Sequence, residues 1–151
     1  MKRRTFLAVT TLATAAVGLT ACGGDDQPAA GEPLSRDTKA ELTLAYWDKN
    51  QTPTIEANVA AFNAAFPNIT VTLSLSGWDD YWTKLSTQAA GSNLSDVFWM
   101  NGPNFQLYAS EGMLAELDGL EGVDWANYPE ALVSLYSYDG KHYGVPKDFD
   151  T

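Results

Sequence analysis

The stretch Ile69-Thr70-Val71-Thr72-Leu73-Ser74-Leu75-Ser76 decides the fold. Apolar and polar residues alternate along all of it, the period of a strand with one buried face. Just upstream, Pro53 opens a helical stretch, a favoured first-turn position for proline. Ile55, Val59, Phe62 and Phe66 recur there at helical spacing and make one apolar face, which Pro67-Asn68 ends. Before that helix, Leu42-Thr43-Leu44-Ala45-Tyr46-Trp47 reads as a strand. A strand, a helix and a second strand in that order form the unit of a parallel sheet.

The same alternation continues downstream. Asp79 or Asp80 is placed to cap a helix that carries Trp78, Tyr81, Trp82 and Leu85 on one face and ends at Ala89-Ala90-Gly91. Asp96-Val97-Phe98-Trp99-Met100 reads as a short buried strand, and Asn104 to Ser110 as a helix closed by Gly112. Met113, Leu114, Leu117 and Leu120 form an apolar patch in a loop-like stretch. Tyr128 to Leu135 follows as a helix, with Pro129 near its start. Tyr136-Ser137-Tyr138 and His142-Tyr143-Gly144-Val145 flank Asp139-Gly140, a hairpin signal. The order β-α-β-α-β-α-α-β-β implies an α/β fold, a mostly parallel sheet covered by helices on both faces.

Ligands of such open sheets sit beyond the carboxyl ends of the strands. That rule selects Trp47-Asp48-Lys49-Asn50, Ser76-Gly77-Trp78-Asp79 and Met100-Asn101-Gly102-Pro103-Asn104. Each loop pairs an aromatic residue or a glycine with Asp or Asn. A pyranose suits that mixture, because an indole stacks on its C–H face while carboxylates and amides bind its hydroxyl rim. Trp82 and Trp99 read as core residues at helix-sheet contacts. For Trp47 and Trp78, ligand contact and core packing both remain open. Paired carboxylates also serve glycoside hydrolysis, but the spacing of Asp48, Asp79, Asp80 and Asp96 is not diagnostic. No Gly-x-Ser-x-Gly and no glycine-rich phosphate loop occurs. The expectation is a binder, not an enzyme.

The chain has 151 residues and a formal charge of −10. Removal of residues 1–21, with Lys2, Arg3 and Arg4, leaves six basic against 19 acidic residues, or −13. That balance disfavours nucleic acid and anionic membrane surfaces as partners. His142 is the single histidine and Cys22 the single cysteine, which excludes disulfides and Cys/His metal sites. No cofactor is expected, and His142 reads as a solvated or packed hairpin residue.

Met1-Lys2-Arg3-Arg4-Thr5 is a basic start, and Phe6 to Ala21 is an apolar run too short to span a bilayer comfortably. Ending in Leu19-Thr20-Ala21-Cys22, the segment resembles a bacterial lipoprotein signal. The resemblance implies cleavage before Cys22 and a lipid on its sulfur that anchors the chain at the outer membrane face. Lys2-Arg3-Arg4-Thr5-Phe6-Leu7 also resembles a twin-arginine export signal, leaving two export routes open. Residues 22–40, rich in Gly, Pro and Asp, read as a flexible tether, and residues 41–151 as the folded part.

Taken together, several segments resemble the sugar-type extracellular solute-binding proteins that serve ABC importers. They are the lipoprotein signal, Leu42 to Trp47, Ala64-Ala65-Phe66-Pro67-Asn68-Ile69-Thr70-Val71, Trp78-Asp79-Asp80-Tyr81-Trp82-Thr83-Lys84-Leu85, Ser95 to Asn101 and Asp139 to Thr151. The resemblance implies a periplasmic-binding-protein-like fold of two lobes that close on a ligand. This chain would supply an incomplete first lobe, the second lobe being missing. It further implies that Trp47, Asp48, Trp78, Asp79, Asn101 and Gly102 line the first-lobe side of the cleft, with Asp148, Asp150 and Thr151 near the hinge approach. The implied partners are a mono- or oligosaccharide and ABC permease subunits, and the implied state is a monomer. A polyamine or peptide ligand on the same fold, and a secreted carbohydrate-active enzyme, are the alternatives.

Overall fold

A computed structural model describes residues 35–120 and 122–149. Strands β1 (Ala40–Tyr46), β2 (Ile69–Leu75) and β3 (Val97–Phe98) form a parallel sheet in the order β2-β1-β3. Helix α1 (Thr52–Ala65) connects β1 to β2, and α2 (Trp78–Ala90) connects β2 to β3. Helices α3 (Gly102–Ser110) and α4 (Glu130–Leu135) follow, and strands β4 (Ser137–Tyr138) and β5 (Lys141–His142) make a separate antiparallel hairpin. Cys22, Asp150 and all of the expected tether before Ser35 lie outside the described residues.

The β1–β2 register pairs Leu42 with Val71, Leu44 with Leu73 and Tyr46 with Leu75. Partners in a ladder share a face, so these residues form one apolar band, which α1 approaches through Ile55, Val59 and Phe62. Tyr46, fully buried, hydrogen-bonds through its hydroxyl to Thr52 Oγ1 at 3.0 Å and so ties β1 to the start of α1. On the opposite face Ala45 packs with Tyr81 and Leu85 of α2 and Tyr108 of α3. Asp96 locks the entry to β3: its Oδ2 accepts from Thr43 N at 2.8 Å and from Thr43 Oγ1 at 2.9 Å. These bonds hold the Asp96 carboxyl below the usual carboxylate range. Asp96 therefore fastens two strands together.

The alternating β/α order is as the sequence implies, but four details differ. The predicted strand 96–100 shrinks to Val97–Phe98, and Val97 is 51% exposed because β3 is an edge of the described sheet. Neither Asp79 nor Asp80 caps α2. Gly77 does so in an extended conformation, and the two carboxylates fall in the first turn, where they complement the helix dipole. Helix α3 starts at Gly102, two residues early, because Asn101 is its cap. The helix expected from Tyr128 begins at Glu130, since Pro129 holds the N-cap position after a 3-10 turn at Trp125–Asn127. The hairpin turn forms as expected. Asp139 and Gly140 have φ of 49° and 75°, the left-handed pair that a two-residue turn requires.

Candidate functional site

Trp47 follows the last residue of β1, and Trp78 is the first residue of α2. The parallel register of β1 and β2 brings both to the carboxyl end of the sheet. Their rings meet edge to face with centroids 5.3 Å apart. Trp47 also makes edge contacts with Tyr81 and Trp99 at 5.1 Å and a tilted contact with Trp82 at 5.5 Å. Edge-to-face geometry sets the positive ring edge against the negative π-face. Trp47 is thus wedged, half-buried, at the centre of four aromatic rings. Trp78 lies on the outside of the group and keeps 50% of its surface exposed. Of the two open readings for these tryptophans, Trp47 matches packing more than contact, and Trp78 is the ring whose surface a ligand can reach.

The group is fastened underneath. Tyr81, buried in α2, donates its hydroxyl to Trp99 O at 2.6 Å. Burial pushes the Tyr81 phenol well above its ordinary range, so the hydroxyl stays a neutral donor. Trp82 is half-buried, and its indole N–H is shut from solvent without an acceptor among the described residues. Leaving a buried donor unpaired costs about 1–3 kcal/mol.

A polar network borders the aromatic rings. Asp48 caps the 3-10 turn Lys49–Gln51, accepting from Asn50 N at 2.9 Å and from Gln51 Nε2 at 3.1 Å. Gln51 Nε2 also reaches Asp148 Oδ2 at 3.4 Å. Lys147 Nζ donates to Gln51 Oε1 at 2.9 Å, pairs with Asp148 and stands 4.0 Å over the centre of the Trp99 ring. Asp48 and Asp148, far apart in the chain, are therefore joined through Gln51. The Tyr136 phenol is raised by burial and, secondarily, by the Asp148 charge.

The other candidates have local duties. Asn101 Oδ1 accepts from Asn104 N at 3.1 Å and Asn104 Nδ2 at 2.8 Å, and its own amide nitrogen has no partner among the described residues. A Cβ at Gly102 would lie 3.0 Å from the Leu135 side chain, which would have to shift to admit it. Asp79 is exposed beside Trp78. The sequence reading missed Gln51 and Lys147, although each stands next to or near a selected carboxylate. Trp82 and Trp99 pack against the buried cluster as expected of core residues, and the Trp99 ring is also covered by the Lys147 ammonium. His142 is packed: its ring stacks on Trp125 at 4.2 Å and Nδ1 meets Asp118 Oδ1 at 2.5 Å.

An aromatic and carboxylate rim at the carboxyl end of a parallel sheet invites comparison with known proteins. The chain matches the model of the bacterial extracellular solute-binding proteins over residues 57–151. It is 30% identical over 148 residues to the diacetylchitobiose binding protein DasA of Streptomyces coelicolor, covering 97% of this chain and 34% of that protein. A family 1 extracellular solute-binding protein of Alicyclobacillus acidocaldarius superposes with a TM-score of 0.65 at 34% identity, covering 73% of this chain and 29% of that one. An ABC substrate-binding protein of Listeria monocytogenes, solved with cycloalternan, gives 0.64 at 31% identity, with coverages of 71% and 28%. The chain spans about a third of the length of the curated relative it matches. On these grounds it belongs to the bacterial extracellular solute-binding proteins, a family of binders, and forms part of their periplasmic-binding-protein-like fold.

Proposed function

We propose that the chain forms one wall of a saccharide receptor that delivers its ligand to an ABC permease, and that a lipid on Cys22 holds it at the extracytoplasmic face of the membrane. The observation that carries the saccharide reading is the half-exposed Trp78 at the sheet's carboxyl end, set edge-on against Trp47, whose neighbour Asp48 is joined through Gln51 to Asp148. Trp78 offers a flat apolar face, and the carboxylates and Gln51 offer hydroxyl partners. Relatives named for diacetylchitobiose and found with cycloalternan support the same ligand class. Asp79 and Asn101 would add polar contacts, Gly102 would keep the backbone close, and Asp150 would extend the hinge side. The second wall of the cleft would come from a second lobe. The lipid anchor is checked by radiolabelled palmitate, which should enter the wild-type chain and not Cys22→Ala.

A polyamine is the second reading, favoured by the carboxylates that adjoin the tryptophans along the chain, Asp48 after Trp47 and Asp79 and Asp80 after Trp78. A thermal-shift titration of the full-length protein separates the two. A ligand at 100 times its Kd stabilises by about 2.7 kcal/mol through mass action. Chito- and malto-oligosaccharides should raise Tm and putrescine should not. A shift with putrescine alone overturns the saccharide reading.

A further inference from the structure

Lys147 joins three elements that the sequence leaves far apart. Its ammonium stands 4.0 Å from the centre of the Trp99 ring, whose backbone is fixed by Tyr81. The same nitrogen donates to Gln51, which in turn holds the carboxylates of Asp48 and Asp148. Residues 143–149 have no regular secondary structure. Tyr143 N, bonded to Tyr136 O at 3.1 Å, fixes the beginning of this strap, and Lys147 fixes its far end.

We propose that Lys147 is a positioning residue of the saccharide site. It latches the 143–149 strap to the 48–51 turn, closes the outer face of Trp99 to ligand, and so leaves Trp78 as the stacking platform. Asp48 and Asp148 are held at fixed places on the rim by the same latch. The saccharide part of this assignment rests on the function proposed above; the latch itself does not. Removal of the cation, with its stem kept, frees Gln51 Oε1 and uncovers the indole. An arginine keeps a cation that both hydrogen-bonds and stacks on aromatic faces.

The test compares full-length wild type, Lys147→Met and Lys147→Arg in two measurements. Acrylamide quenching of tryptophan fluorescence without ligand reads the cover on Trp99. Lys147→Met should quench more readily than wild type, Lys147→Arg should match wild type, and the difference should vanish in a Trp99→Phe background. Calorimetric titration with diacetylchitobiose reads the rim, and Lys147→Met should bind about tenfold more weakly, the size of a lost cation–aromatic contact with its hydrogen bond. Equal quenching in wild type and Lys147→Met, or a difference that survives Trp99→Phe, overturns the latch. Unchanged affinity in Lys147→Met, when wild type binds, overturns its part in the site. If wild type binds no saccharide while the quenching pattern is as expected, the latch stands and the saccharide reading falls.

Discussion

Two regions beside the sheet are built on different principles. The groove between α1 and the β1–β3 face encloses about 610 Å³ and is lined mainly by Leu42, Leu44, Ile55, Val59, Phe62 and Val71, with polar groups at its Gln51–Lys147–Asp148 mouth. The rim at the carboxyl end of the sheet brings indoles into edge-to-face contact and, where it meets the groove mouth, joins carboxylates and a cation through Gln51. Volume alone would place a ligand in the groove. The proposed saccharide ligand favours the rim, because it must satisfy many hydroxyls and an aliphatic groove supplies few partners. Beneath the rim the packing is tight, with Ala45, Tyr81, Leu85 and Tyr108 all buried. Beside the groove, Val59 and Phe62 stay half-buried.

That contrast sets the order of expected stability losses in the full-length protein. Leu85→Ala should cost about 3 kcal/mol in urea denaturation, since the side chain is 1% exposed and its removal leaves a cavity. Phe62→Ala should cost less, about 1–2 kcal/mol, because the ring already lacks neighbours on one side. Equal losses would break the distinction between the two faces. Asp96→Ala should cost about 1 kcal/mol, as an exposed but double acceptor for Thr43. The smallest effect is pH dependence. Asp96 and Asp118 both have carboxyls held below the ordinary carboxylate value, by Thr43 and by His142 respectively. Their stabilisation is complete above that value and is lost as pH falls through the lowered pKa. Acid unfolding followed by circular dichroism should therefore flatten slightly in Asp96→Asn and Asp118→Asn.

The parts of this arrangement that local pattern controls were legible in the sequence. Alternation from Ile69 to Leu75, the Ile55-Val59-Phe62 face and Asp139-Gly140 each describe their own element. The position of Trp47 and Trp78 at one end of the sheet followed from strand order. Other features depend on partners remote in the chain. An edge strand has no signature in two residues, so Val97 read as buried. A capping carboxylate cannot be told from a first-turn carboxylate by composition, so Gly77 was passed over for Asp79 and Asp80. Trp47 read equally as core and contact because it does the packing while its neighbour keeps the exposure. The cover on Trp99 comes from Lys147, 48 positions later, and Gln51 joins Asp48 to Asp148, which lies 97 positions beyond Gln51. Side-chain meetings of that kind have no periodicity to betray them.

The most direct test is a pair of substitutions in the full-length protein, Trp78→Ala and Trp47→Ala, each measured for diacetylchitobiose affinity by calorimetry and for stability by urea denaturation. If Trp78 is the stacking platform and Trp47 its support, Trp78→Ala weakens binding at least about tenfold with under about 1 kcal/mol of lost stability, whereas Trp47→Ala costs about 3 kcal/mol. Undiminished binding in Trp78→Ala, with stability as expected, would contradict the account.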